Sequence, residues 1–150
     1  MRTIHGTVVI RRPREVCANY VTTPATWPQW YPLTRGVEGP VQATPGVGVT
    51  WAEKVRIVGL PFTFTWRTVE DDRPRRYVYQ GSSNFGGHAT ITYVWDSVDE
   101  GTRWERLLEY EQDRWYTKFA DWLFMAAVIR GASARAVLLA KEQLENSPRA

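Results

Sequence analysis

The sequence predicts an α+β fold: a curved antiparallel sheet of about seven strands, in the order β-α-α-β6-α, wrapped around a long C-terminal helix. Three observations predict it. The chain opens as a strand followed by two short helical segments; turn signals then recur at short intervals from Val37 to Gln112; after Gln112 the apolar spacing changes from strand-like to helical.

The opening strand is Thr3 to Ile10, rich in β-branched residues and ended by Arg11-Arg12-Pro13. Proline in a first helical turn suits a helix from Pro13 to about Val21, because the N–H it lacks has no partner there. Thr23-Pro24 opens a second helical turn through Trp27 and Trp30, and Tyr31-Pro32 closes it. Gly39-Pro40, Pro45-Gly46, Gly59, Asp71-Asp72-Arg73-Pro74, Gly86-Gly87 and Asp99-Glu100-Gly101 then punctuate six strands. The clearest are Gly48 to Val58, Pro61 to Glu70, Arg75 to Ser82, Ala89 to Val98 and Thr102 to Glu111, and their short connections favour an antiparallel meander. Beyond Gln112, the residues Phe119, Trp122, Leu123, Ala126, Ile129, Ala136, Ala140 and Leu144 share a broad apolar face of one long helix. That face must be buried, and the concave side of the sheet is the surface available to it.

The 150 residues, 43% hydrophobic and 23% charged, fit one domain over 1–150 with a single core. The longest uncharged apolar run, Trp122 to Ile129, is far shorter than the roughly 20 residues of a membrane span, so no span is expected. The first ten residues alternate as a strand does, without a signal-like apolar core, and a cytoplasmic location is the expectation. One cysteine, Cys17, and two histidines, His5 and His88, make no metal-ligand cluster, so no metal is expected. Cys17 has no nearby histidine and reads as a buried structural thiol. The net charge of +3 comes from basic residues scattered mostly singly, which argues against nucleic acid as a partner. Gly81-Ser82-Ser83-Asn84-Phe85 is not a nucleophile elbow and no phosphate-cradling glycine loop is present, so no cofactor is expected.

The unusual feature is aromatic content: eight tryptophans, seven tyrosines and five phenylalanines. Such bulk fills a core or lines a pocket. Strand alternation places Trp51, Glu53, Val55 and Ile57 on one side, and Trp104, Arg106, Leu108 and Tyr110 on the more apolar side of the last strand. Glu53 and Arg106 thus point inward, where an unpaired charge is costly. They are either a mutual ion pair or groups that meet a polar ligand, Glu53 as general acid/base and Arg106 as an anchor for a carboxylate, phenolate or enolate. Arg67 falls opposite Phe64 and Trp66 and faces inward only if a bulge shifts its strand. Candidate ligand-binding residues are Trp30, Trp51, Trp66, Tyr79, Tyr93, Trp95, Trp104, Tyr110, Phe119, Trp122 and Ile129. The small residues Gly131 to Ala134 leave space opposite the rings, and Asn84 to Gly87 form a loop at the expected mouth.

Ile10-Arg11-Arg12-Pro13-Arg14-Glu15-Val16, the later Trp27-Pro28-Gln29-Trp30 turn and the Glu100-Gly101-Thr102 hairpin resemble the polyketide cyclase/dehydrase family, within the START and Bet v 1-like (SRPBCC) superfamily. With the terminal helix, the resemblance covers nearly the whole chain. It implies the helix-grip fold and a hydrophobic ligand cavity between sheet and helix. It does not imply one activity, since carriers, aromatase/cyclases and co-chaperones share that superfamily. Three functions follow as expectations: binding of a hydrophobic, aromatic or polycyclic small molecule; cyclase, aromatase or dehydratase chemistry in the same cavity; and a protein-interaction module. The Trp122 to Ile129 run is apolar all round, so part of it should be covered by a partner, a ligand or a second copy, and a homodimer is expected.

Overall fold

In the computed structural model, which describes residues 1–146, β1 (Arg2–Ile10) leads into α1 (Arg14–Thr22). A 3₁₀ turn (Pro24–Thr26) and the single-turn helix α2 (Trp27–Trp30) follow. The remaining strands are β2 (Thr34–Glu38), β3 (Thr50–Ile57), β4 (Leu60–Asp72), β5 (Arg76–Ser83), β6 (Gly87–Val98) and β7 (Gly101–Gln112). All pair antiparallel in the order β1-β7-β6-β5-β4-β3-β2. The first strand closes beside the last, so the sheet curls into a half-barrel and the C-terminal helix lies in its hollow. The expected order of elements and the helix-grip arrangement are both present.

Alternation is regular where the sheet is half-buried. On β3, Trp51, Glu53, Val55 and Ile57 are buried while Thr50, Lys54 and Arg56 are exposed; on β7, every second residue from Thr102 to Gln112 is buried. Arg67 is exposed on β4, and the bulge in that strand lies beyond it, between Thr68 and Glu70. On β1 a side chain at Gly6 would stand 3.3 Å from Val137 Cγ1, so glycine there lets the terminal helix settle closely onto the strand. Its inner face is Met125, Ala126, Ile129, Ala132, Ser133, Ala136, Val137, Ala140 and Leu144.

The terminal helix departs from the expected single α-helix. It begins as α3 (Trp115–Ala120), widens into a π-helical turn (Asp121–Met125) and continues as α4 (Ala126–Asn146). Counting back from Ile129 at 3.6 residues per turn brings Trp122 and Phe119 to the inner face. The wide turn takes up extra residues and brings Asp121 and Thr117 there instead. Phe119 is 56% exposed and Trp122 70%, which corrects their assignment to the ligand wall. Gly131 and Ala134 likewise face out, and only Ala132 and Ser133 of that small-residue stretch face in. Asp121 is held inside by the Tyr110 hydroxyl, which donates to it at 2.7 Å, and by Arg2. The 32 helical residues Trp115–Asn146 reach a mean hydropathy of 1.6 over an 18-residue stretch, long and apolar enough to cross a membrane, where the sequence reading expected no span. In this fold 44% of that stretch is buried.

Candidate functional site in the sheet–helix cavity

A cavity opens between the inner sheet face, α2 and α4. Trp30, Tyr31, Glu53, Trp66, Tyr79, Tyr93, Arg106, Tyr110 and Ile129 line it, with aliphatic and phenylalanine side chains of β3, β4, β6 and β7 between them. Its enclosed free volume is about 60 Å³. A single water needs about 10–15 Å³, so the closed cavity holds a few waters at most and a polycyclic ligand must displace wall residues. At the mouth, Phe85 sits edge-on to Phe62 with ring centroids 4.9 Å apart, and His88 Nε2 lies 2.5 Å from Asp113 Oδ2.

Glu53 is 4% exposed and both its carboxylate oxygens are occupied: Thr34 donates to Oε2 at 2.5 Å and the Trp66 indole N–H to Oε1 at 2.9 Å. Trp66 reaches this position because it faces Gly81 across β4 and β5, where a side chain would stand 2.4 Å from the Thr65 carbonyl and 2.6 Å from the indole. Burial pushes the Glu53 pKa up, opposed by the two donated hydrogen bonds and by the charge of Arg106. The result is a carboxyl that holds a proton more tightly than an exposed one.

Arg106, also 4% exposed, extends from β7 across the hollow to α4, where its Nη1 donates to Ser133 Oγ at 3.2 Å. Its guanidinium lies 4.9 Å over the Tyr31 ring, a cation–π contact. Among the described residues its Nε has no hydrogen-bond partner. Burial lowers the tendency of Arg106 to ionise, but the surrounding Tyr31, Tyr93 and Tyr79 oxygens more than offset this, and it stays cationic. Tyr79 and Tyr93 share a hydrogen bond of 2.9 Å between their hydroxyls, and burial pushes both phenols up. The Glu53–Arg106 ion pair, one of the two sequence-level alternatives, is not among the ion pairs of the described residues. Each charge has its own polar partners, and they act on each other through space. The cavity therefore carries a carboxyl on one wall, a guanidinium on another and a phenol pair between.

Of the expected wall residues, Trp30, Trp66, Tyr79, Tyr93, Tyr110 and Ile129 line the cavity. Trp51, Trp95 and Trp104 are buried but pack outside its lining: Trp104 meets the Trp30 and Tyr93 rings edge-on at 5.6 and 5.3 Å. Sequence reasoning missed Thr34 and the role of Ser133. Thr34 follows a proline-closed turn where no alternation is yet established, and Ser133 reads only as a small residue. Among the described residues no group of three or more His, Cys, Asp or Glu side chains is placed to hold a metal.

A curled antiparallel sheet gripping a terminal helix, with an apolar cavity and a few polar groups between them, defines the helix-grip fold. The chain belongs to the family described as polyketide cyclase / dehydrase and lipid transport, whose model matches residues 1–145. Among solved structures, the Zhui aromatase/cyclase from Streptomyces sp. R1128 is 17% identical with a TM-score of 0.80, covering 99% of this chain and 96% of that one. TTHA0849 from Thermus thermophilus is 14% identical with a TM-score of 0.79, over 95% and 97% of the two chains. The Aha1 dimer from Colwellia psychrerythraea is 19% identical with a TM-score of 0.65, over 97% and 98%. At these identities the likeness is one of fold. No curated protein sequence matches the chain.

Proposed function

We propose that the protein binds a hydrophobic, aromatic or polycyclic small molecule in the sheet–helix cavity, with Arg106 orienting an anionic or enolic oxygen of the ligand. The unpartnered Nε of Arg106 carries this reading. A buried guanidinium with a free donor is costly, by about 1–3 kcal/mol for a lost hydrogen bond, and a ligand oxygen relieves that cost. The aromatic walls supply the apolar part of the site.

The cyclase, aromatase or dehydratase reading is favoured by one observation: Glu53, its pKa raised by burial, faces the same cavity as a cation and a phenol pair. In that reading Glu53 moves a proton while Arg106 steadies the enolate, and the walls position the chain.

Titration with 2-naphthoic acid, followed by tryptophan fluorescence, tests the binding. One-to-one binding that falls at least tenfold in Arg106→Met is expected, and equal affinity in wild type and variant refutes the anchor. Native mass spectrometry of protein taken from cell extract then supplies the natural occupant. A carrier keeps it in Glu53→Gln, whereas an enzyme returns unconverted substrate from that variant and product from the wild type.

A further inference from the structure

The outward face of the helix that ends at the cavity mouth is apolar, aromatic and cationic at once. Trp115 is 78% exposed and Trp122 70%, with Phe119, Leu123, Phe124 and Val128 also open to solvent. Isolated exposed apolar side chains are ordinary, but nearly four turns of them along one helix, from Trp115 to Val128, are not. The exposed charges from Arg114 to Arg135 are of one sign: Arg114, Lys118, Arg130 and Arg135. The sole acid between Arg114 and Lys141 is Asp121, and it is turned inward onto Arg2 and Tyr110. The helix also borders the cavity entrance. It starts three residues after Gln112, which lines the cavity, and the Asp113 N–H that precedes it donates to the Gly86 carbonyl of the mouth loop at 3.2 Å.

We infer that this face, from Trp115 to Val128, seats on an anionic lipid surface and presents the cavity mouth to it. Tryptophan and tyrosine favour the headgroup boundary, leucine and phenylalanine the acyl region just below, and lysine and arginine the anionic headgroups. A second copy of the chain fits less well. A two-fold contact sets the same patch against itself, and from Arg114 to Arg135 its exposed charges are all cations, the acid at its edge, Asp113, being paired with His88. The helix lies on the surface without spanning it, because its other face, from Met125 to Leu144, is committed to the sheet. A ligand dissolved in the bilayer would then reach the cavity without crossing water; this consequence rests on the ligand reading above, whereas the surface does not.

Cosedimentation of the full-length, ligand-free protein with vesicles of phosphatidylcholine, with and without phosphatidylglycerol, tests the surface directly and so stands or falls apart from any ligand. Wild type is expected to pellet with the phosphatidylglycerol vesicles and to be released as salt rises. Trp122→Asp with Leu123→Asp is expected to lower the affinity at least tenfold. Arg114→Gln with Lys118→Gln lowers it roughly tenfold for the anionic vesicles and little for the neutral ones. All four positions are exposed, so circular dichroism and melting should match wild type. Failure to pellet with either vesicle overturns the inference, as does equal pelleting of wild type and the aspartate variant. A dimer in sedimentation velocity that the aspartate variant disperses, without vesicle binding, assigns the face to a second copy and overturns it too.

Discussion

The Trp66 indole N–H donates to Glu53 Oε1 at 2.9 Å from the neighbouring strand, so a ring that would otherwise serve only as cavity wall also holds the carboxyl in place. Trp66→Phe keeps an aromatic ring beside Phe64, stacked at 5.1 Å, but leaves Oε1 without its donor. Loss of the bond is expected to cost about 1–3 kcal/mol in urea unfolding at neutral pH. A double-mutant cycle with Glu53→Met, which removes the acceptor, should return most of that as coupling between the two.

Glu53 also sets a pH dependence. Its folded pKa lies above the unfolded one, so between the two the folded state binds more protons than the unfolded. Its contribution to stability is therefore full below the unfolded value, about 4.3, and is lost as pH rises through the folded value. Glu53→Gln removes the titration while an amide can still meet Thr34 and Trp66. The variant's melting temperature should exceed wild type at neutral pH and converge on it below about pH 4. A gap that widens on acidification would contradict the assignment.

Gly81 is the weak point of the wall. A methyl group there meets the Thr65 carbonyl at 2.4 Å, and backbone cannot move aside as a flexible side chain can. Gly81→Ala is expected to destabilise by about 3 kcal/mol in chemical denaturation and to displace Trp66, weakening ligand binding as well. Gly131→Ala, where nothing lies within 4 Å, is the control and should be stabilising or neutral.

Cys17 is fully buried, and burial pushes its thiol up to about 11. Iodoacetamide at pH 8 should leave it unlabelled in the native protein and label it completely in guanidinium, as read by intact mass. Labelling of the native state would mean that α1 opens readily from the sheet.

Much of the fold was legible because β3 and β7 obey a period of two without interruption, so Glu53 and Arg106 lie inside where alternation points them. Arg67 is outside for the same reason. What alternation cannot supply is distance around the curl. Three strands separate β3 from β7, and only the curvature decides whether their inward charges touch or merely share a cavity. The wall tryptophans were ambiguous because a ring on the inner face can line the space or pack behind another ring, as Trp104 does behind Trp30. Phe119 and Trp122 misled because helical spacing presumes a constant 3.6 residues per turn, and the π-helical turn breaks that presumption one turn upstream of Ile129.

That turn makes helix length a discrete control over what the molecule shows to its surroundings. Removing one residue from Asp121–Met125 would restore α-geometry and rotate α3 by about 100°, carrying its aromatic row toward the sheet and Asp121 into water. An event as small as a single-codon deletion would thus exchange a sticky exterior for a greasy interior without altering one strand. Relatives of this chain that differ in length by one residue here should differ in what they adhere to, even when every wall residue of the cavity is the same.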